Sequence, residues 1–439
     1  MNFNQYLYNA ALWCAQPLLR RKLARRALAE PLYGEAVAER FGHYTQAAEL
    51  RSELVWVHAV SLGETRAAEV LIKALRQTLP GMRLLLTHGT ATGRAEGARL
   101  LQAGDVQVWQ PWDTPAAVQR FLRHFKPRVG VLIETEVWPN LVLQSQKLGV
   151  PLALANARMS EQSTRKALRW PALTRPVYQA LRAVWPQTQA DSERLQQLGA
   201  TAPKVLGNIK FDAQPDAAQC AQGQAWREVM KRPVAMLASS REGEEEAWLQ
   251  AVMAQLEVHA QGHIAPEEQN KTAPAVQWLI VPRHPQRVDA VEALLLSQGW
   301  RVSRRSQWFA DGPPAVDPQT VWLGDSLGEM ALYYSLADVA LLGGSFAPLG
   351  GQNLIEAAAC GCPVIMGPHT FNFAQASEMA EHTGAALRVG DMAQAITQTL
   401  SLLSDAAQLQ RRATQAQAFA QAHQGAALRT AQAVAQLLQ

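Results

Sequence analysis

Short apolar runs alternate with helix-length stretches along almost the whole chain. In the first half the runs fall at 54–59, 83–87, 129–133, 151–155 and 183–186. In the second half they fall at 234–238, 278–281, 321–323, 339–342 and 363–365. Near-continuous apolar runs bounded by turn residues read as strands buried on both faces. Helical patterns such as 64–78 and 114–124 lie between them. The rhythm predicts parallel sheets joined by crossover helices. A chain of 439 residues, 48% of them hydrophobic, is too long for one ordinary core, so two domains are expected. Between the halves, 211–226 is rich in Ala, Gln, Asp and Pro, with a turn expected at Gln214-Pro215-Asp216. The boundary is placed within 206–212, giving a leading segment 1–45 and domains 46–208 and 209–439. The polar stretch 261–274 reads as a surface insertion.

Composition narrows the classes of function. Charged residues make up 18% with no long charged tract, which argues against extended disorder. A net charge of +4 is too small to indicate nucleic acid, and zinc-finger and RNA-module patterns are absent. It suits an anionic small substrate or an anionic membrane. Cys14, Cys220, Cys360 and Cys362 have neither disulfide-framework nor zinc-site spacing and read as reduced thiols of a cytoplasmic protein.

Residues 2–19 carry no charge. Asn2, Gln5, Asn9 and Gln16 share one side of a helical wheel; Phe3, Leu7, Ala11, Cys14 and Leu18 share the other. Pro17 interrupts the stretch, which argues against a membrane span. Arg20, Arg21, Lys22, Arg25 and Arg26 follow. An apolar-faced helix beside a basic run suits docking on anionic lipid, each cation contributing about 1 kcal/mol. A helix packed on its own domain is the alternative. The basic cluster follows the apolar part, the reverse of a cleaved signal peptide.

In doubly wound sheets ligands lie beyond the carboxyl ends of strands, so the residues just after each run are the candidates. Ser61 and Glu64 have capping-box spacing; in the functional reading Glu64 is a general base. A helix N-terminus favours its ionised form but weakens it as a base, unless closure dries the site. The two roles exclude one another in one conformer unless the carboxylate swings away. Thr87, Thr90, Thr92 and Gly93 could hold phosphate or merely form a turn and cap. Glu134 and Glu136 alternate at a strand end, so at most one is expected to face a ligand. Lys210 sits at the domain boundary, where it could reach an anion across a cleft. Arg241 could grip carboxylate or phosphate, with Ser239 and Glu242 as a second possible capping box. Arg283 and His284 could meet a phosphate or pyrimidine, or form a structural ion pair. The strongest local signal is LLGGSFAPLGGQNLIEAAAC at 341–360. Its glycines permit close backbone approach and a helix N-terminus follows. It matches neither a Walker loop nor a GxGxxG turn.

The stretches HAVSLGE, ETEVWPNL, NARMS, GNIKFD, ASSREGE, VPRHPQR, GDSLGEM and GGSFAPLGGQNLIEAA occur in this order. Together they resemble the 3-deoxy-D-manno-octulosonic acid (Kdo) transferase family of lipopolysaccharide biosynthesis. The resemblance implies a GT-B-like α/β fold, two Rossmann-like doubly wound parallel-sheet domains facing a cleft. It implies CMP-Kdo as donor, a lipid A precursor (lipid IV-A) as acceptor and inversion at the anomeric carbon, with no metal or other cofactor. Glu64 becomes the catalytic base. Lys210, Arg241, Arg283 and His284 become donor contacts, and Gly344, Ser345, Gly351, Gln352, Asn353 and Glu356 the CMP cradle. Glu134, Ser61 and Thr90 would help position acceptor or donor. The segment THGTATG departs from the family's TTMTxTG-like pattern at His88 and Gly89. The expected place is the cytoplasmic face of a bacterial inner membrane, peripheral to it, with no nucleic-acid partner. Two other readings stay open: a nucleotide-sugar epimerase of the same fold, and a membrane-docked nucleotide-sugar binder without turnover.

Overall fold

A computed structural model describes residues 3–50, 53–230, 232–260, 276–309, 312–313 and 319–439. The chain divides into two compact units, Met1–Ala213 with His423–Gln439, and Gln214–Ala422.

The first unit holds a six-stranded parallel sheet: β1 (Leu54–His58), β2 (Arg83–His88), β3 (Val106–Trp109), β4 (Val129–Ile133), β5 (Leu152–Ala157) and β6 (Ala183–Pro186), in the order β3-β2-β1-β4-β5-β6. Alternate residues feed opposite faces, as strand geometry requires. Leu54, Trp56, Leu132 and Leu154 join one core, and Val55, Val57, Val131 and Ile133 join the other. This explains why these strands read as unbroken apolar runs.

The second unit holds seven parallel strands: β7 (Val234–Ser240), β8 (Gln277–Pro282), β9 (Arg301–Arg304), β10 (Thr320–Leu323), β11 (Val339–Leu342), β12 (Val364–Met366) and β13 (Ala386–Arg388). Their order is β13-β12-β11-β7-β8-β10-β9. Strands β3, β9 and β13 carry no apolar-run signal in the sequence. Each lies at a sheet edge, where burial is partial: Arg301–Arg304 has no buried residue. The apolar-run signal fails there because one flank meets water.

The division of the chain differs from the expected boundary in two places. The first unit extends through Ala213, so 209–213 belong to it. The final helix, Ala426–Leu437, also belongs to the first unit. Its Ala426, Ala427, Ala431 and Val434 complete the core beneath β1 and β4. Asp212 accepts from the amides of Gly425 and Ala427, and Arg429 donates to the Leu206 carbonyl at 3.0 Å. The stretch read as an interdomain connection is partly the helix Ala217–Val229, capped by Asp216 after the Gln214–Pro215 turn. The expected insertion at 261–274 lies outside the described residues.

Residues Phe3–Ala29 form one helix that continues through Pro17. Its polar side faces the protein: Tyr8 Oη donates to Asp113 at 2.7 Å, and Asn140 Nδ2 donates to Asn9 Oδ1 at 2.7 Å. Its apolar side faces outward, with Phe3, Tyr6, Leu7, Trp13 and Leu18 all exposed. Among the described residues no helix is long and apolar enough to cross a membrane.

Candidate active site

In each sheet the chain leaves its first strand in one direction and later returns to the other side of it. That reversal opens a crevice at the carboxyl ends of two neighbouring strands. In the first unit these are β1 and β4; in the second they are β7 and β11. Most of the candidate residues follow these strands.

After β1 the chain turns into the helix Leu62–Thr78, with Ser61 as N-cap. Glu64 completes a capping box: Val60 N–H donates to its Oε2 at 2.7 Å, and Ser61 Oγ to its Oε1 at 3.2 Å. The amide of Glu64 reaches Ser61 Oγ at 3.4 Å. Even so, burial and the neighbouring Glu136 carboxylate push Glu64 up to about 7, with Glu134 adding to the effect. The helix terminus alone would leave Glu64 a weak base, and drying of the site is the condition that lifts this; burial supplies it. Desolvation and like charge outweigh the amide that favours the ionised form. A carboxylate also has more acceptor positions than the cap consumes, so the capping conformer does not exhaust it.

Glu134 follows β4 with φ of +61°. That left-handed turn breaks strand alternation, so the expectation that Glu134 and Glu136 point opposite ways fails. Both act on Glu64 electrostatically, and burial with the Glu134 charge raises Glu136 as well. Trp138 Nε1 donates to Glu136 at 2.8 Å. Lys210 Nζ lies 2.6 Å from Glu134 Oε1, and Arg158 approaches Oε2 at 3.8 Å. Lys210, expected on the donor side, therefore stands in the first unit beside Glu134. Buried Asn156 puts it there by accepting from Ile209 N–H at 3.0 Å. Asn156 and Arg158, both within the NARMS motif, carry no local signal of a site role; only the fold brings them to Glu134 and Lys210.

Thr90 caps the helix Ala91–Ala98, and its hydroxyl donates to the Val60 carbonyl at 3.0 Å. It holds the turn before Glu64 and has little capacity left for a ligand. His88 is buried, bonded through Nδ1 to the Ala59 carbonyl at 2.9 Å, and burial pushes it down to about 4. The departure at His88 is therefore a core feature between β1 and β2.

In the second unit Arg241 follows β7, while Arg283 and His284 follow β8. Arg283 N–H donates to the Ser240 carbonyl at 3.0 Å. Burial and the Arg241 and Arg283 guanidiniums lower His284 below the usual imidazole range. Arg241, Arg283 and His284 are thus brought together, with the imidazole held toward its neutral form. Ser240, not Ser239, anchors the next helix: its hydroxyl donates to Glu245 at 2.6 Å, and Arg287 grips Glu245 at 3.0 and 3.1 Å. Glu242 is not the capping residue; it pairs with Arg241 at 3.3 Å.

The glycine-rich turn after β11 folds back on itself, with Gly351 N–H donating to the Gly344 carbonyl at 2.7 Å. Gly344 and Gly351 have φ of +71° and +72°, where a Cβ is strained. The Gly344 amide is already taken by Glu244 at 2.7 Å. Ser345 is fully buried; its hydroxyl donates to the Leu342 carbonyl and accepts from Gly367 N–H. The Gly344 amide and the Ser345 hydroxyl therefore hold the loop together in this conformer. Asn353 caps the short helix Leu354–Ala359, which carries Glu356, and Gln352 lies beside Gly344. Among the described residues no group of three or more His, Cys, Asp or Glu side chains is placed to hold a metal ion.

Two doubly wound parallel-sheet units are the architecture of GT-B glycosyltransferases. Solved structures share it: UDP-GlcNAc 2-epimerase from Neisseria meningitidis, at TM-score 0.54 and 14% identity, covers 88% of this chain and 99% of its own. MurG from Acinetobacter baumannii, at TM-score 0.52 and 16% identity, covers 88% and 100%. At such identities the likeness shows fold alone.

The sequence comparisons go further. The family model of 3-deoxy-D-manno-octulosonic-acid transferase (kdotransferase) matches residues 35–213. The 3-deoxy-D-manno-octulosonic acid transferase of Bordetella pertussis is 47% identical over 87% of this chain and 86% of its own. That of Haemophilus influenzae is 30% identical over 91% and 90%. A probable mitochondrial one from Arabidopsis thaliana is 33% identical over 84% and 80%. The chain belongs to the Kdo transferase family, glycosyltransferases of lipopolysaccharide biosynthesis. That places it with transferases and not with the epimerases that share its fold.

Proposed function

We propose that this protein transfers Kdo from CMP-Kdo to lipid IV-A with inversion, Glu64 acting as general base. The observation that carries the proposal is the Glu64 carboxylate at the β1/β4 crevice, pushed up to about 7 by burial and its acidic neighbours. A general base works best when its pKa lies near the operating pH. Val60 holds one oxygen; the other, which accepts the longer Ser61 hydroxyl bond at 3.2 Å, takes the proton of the attacking sugar hydroxyl. In this reading CMP departs as an anion, and Arg241, Arg283 and His284 meet its charge without a metal. In the same reading the negative charge of Glu134, held by Lys210, stabilises the oxocarbenium-like centre.

The acceptor is a lipid, and the helix Phe3–Ala29 suits its delivery. Exposed apolar side chains face outward, and Arg20, Arg21, Lys22, Arg25 and Arg26 follow on the same helix. We assign this face to peripheral docking on an anionic membrane, the cytoplasmic side of the inner membrane.

The test is incubation of purified protein with CMP-Kdo and lipid IV-A, followed by mass spectrometry of the lipid. A mass gain of one or more Kdo units with release of CMP is expected. Glu64→Ala should bind donor and lose about 10²–10⁴ in rate, the range for a general base. No mass gain in wild type would refute the assignment.

A further inference from the structure

Glu244 opens the helix Glu244–Ala260 and is only 2% exposed. Its carboxylate points away from its own helix, toward amides of two loops. Oε2 accepts from Arg241 N–H at 2.9 Å and from Gly344 N–H at 2.7 Å, the latter 100 positions away. Oε1 accepts from Phe346 at 3.1 Å and Ala347 at 3.3 Å. One oxygen atom therefore sets the backbone of Arg241 against that of Gly344. These residues follow β7 and β11, the two strands that border the crevice.

The surrounding geometry leaves the loop few other ways to sit. Ser239 has φ of +55°, a conformation that non-glycine residues rarely adopt. A Cβ on Gly343 would strike the Ala238 and Ser239 carbonyl oxygens. The two loops are thus packed backbone to backbone, and the Glu244 carboxylate is the acceptor that satisfies their amides. Buried amides without an acceptor are strongly disfavoured, so the loop without Glu244 must rearrange to reach water or another partner.

We infer that Glu244 is a positioning residue of the donor site: it presets the β7 and β11 loops in the register that places Arg241 and the glycine turn on the nucleotide sugar. The carboxylate acts through these loops and does not itself touch the reacting atoms. The inference rests on the donor-binding reading given above.

The experiment uses full-length enzyme with CMP as the equilibrium probe and CMP-Kdo as substrate. Glu244→Ala should weaken CMP binding and raise the donor KM by roughly tenfold or more, the equivalent of one lost charged hydrogen bond. The KM for lipid acceptor should stay within about twofold of wild type. Glu244→Gln keeps one accepting oxygen and should fall between the two. A merely structural role would lower the melting temperature without this split between the two substrates. Unchanged CMP affinity in a folded Glu244→Ala protein overturns the inference. If wild type itself fails to bind CMP, the donor reading has failed and not the role of Glu244. Should Glu244→Ala not fold, hydrogen exchange on ligand-free wild type decides: protected Gly344, Phe346 and Ala347 amides are expected, and unprotected ones overturn the inference.

Discussion

Lys210 Nζ lies 2.6 Å from Oε1 of Glu134, which joins the last turn of the first unit's main segment to the end of β4. Glu134 is 6% exposed, so Lys210 replaces part of the hydration that burial removes. Lys210→Met leaves the carboxylate with the more distant Arg158. The expected loss is about 3 kcal/mol of stability, as when one partner of a buried pair is removed. Adding Glu134→Gln should recover part of it. Urea unfolding of the two single variants and the double variant measures the coupling; no coupling would mean the pair is solvent-screened.

Glu64 makes the rate depend on pH. With its pKa near 7, turnover should rise through that pH as the carboxylate ionises, and this acid limb should vanish in the residual activity of Glu64→Gln. A pH–rate profile of both proteins checks this.

The same group makes stability depend on pH. A carboxyl whose folded pKa exceeds its unfolded value of 4.5 binds more protons when folded. Its stabilising contribution is full below 4.5 and is lost as pH rises through 7. The loss is on the order of 3 kcal/mol. Asp113, which burial pushes up to about 7, gives a slope of the same sign. The informative quantity is therefore the difference in unfolding free energy between wild type and Glu64→Gln at pH 4 and pH 8, with the variant gaining relative stability at the higher pH.

Among the described glycines of the second unit, Gly343 leaves a Cβ the least room. Gly343→Ala would set a Cβ 2.6 Å from the Ala238 carbonyl oxygen and closer still to that of Ser239. Backbone cannot yield as a flexible side chain can. A destabilisation of about 3 kcal/mol or more is expected, the upper end for overpacking, together with weaker CMP binding. A melting curve with and without CMP reads both.

The outward face of the first helix allows a clean test of membrane docking. Trp13 and Leu18 are 73% and 65% exposed, so Trp13→Glu and Leu18→Glu should leave the melting temperature unchanged. Both should weaken sedimentation with phosphatidylglycerol vesicles. These point changes are preferable to removing the helix, because its inner face carries Tyr8, whose hydroxyl is bonded to buried Asp113. Unaltered sedimentation would assign the apolar face another purpose.

The central strands were legible because both faces of each are buried, and only apolar residues tolerate that. The edges were not, since Arg301–Arg304 needs no apolar run to complete a ladder with β10. The site was legible as a set of motifs placed after strands. Their division of labour was not. Ser345 and Thr90 looked like ligand donors, but their hydroxyls are spent on the backbone of their own loops. Glu136 looked as if it would face away from Glu134, until a single left-handed residue cancelled the alternation.

What the amino-acid order determined by itself was local: period, turn chemistry and the caps, all set by interactions within a few residues. The Ser61–Glu64 box is of this kind. What only the tertiary structure decided depends on residues far apart in the chain. Lys210 joins Glu134, the last helix returns to the first core, and Glu244 finds the amides of a loop 100 positions away. The electrostatics of Glu64 belong with these, because burial and neighbouring charge exist only once the chain has folded and excluded water.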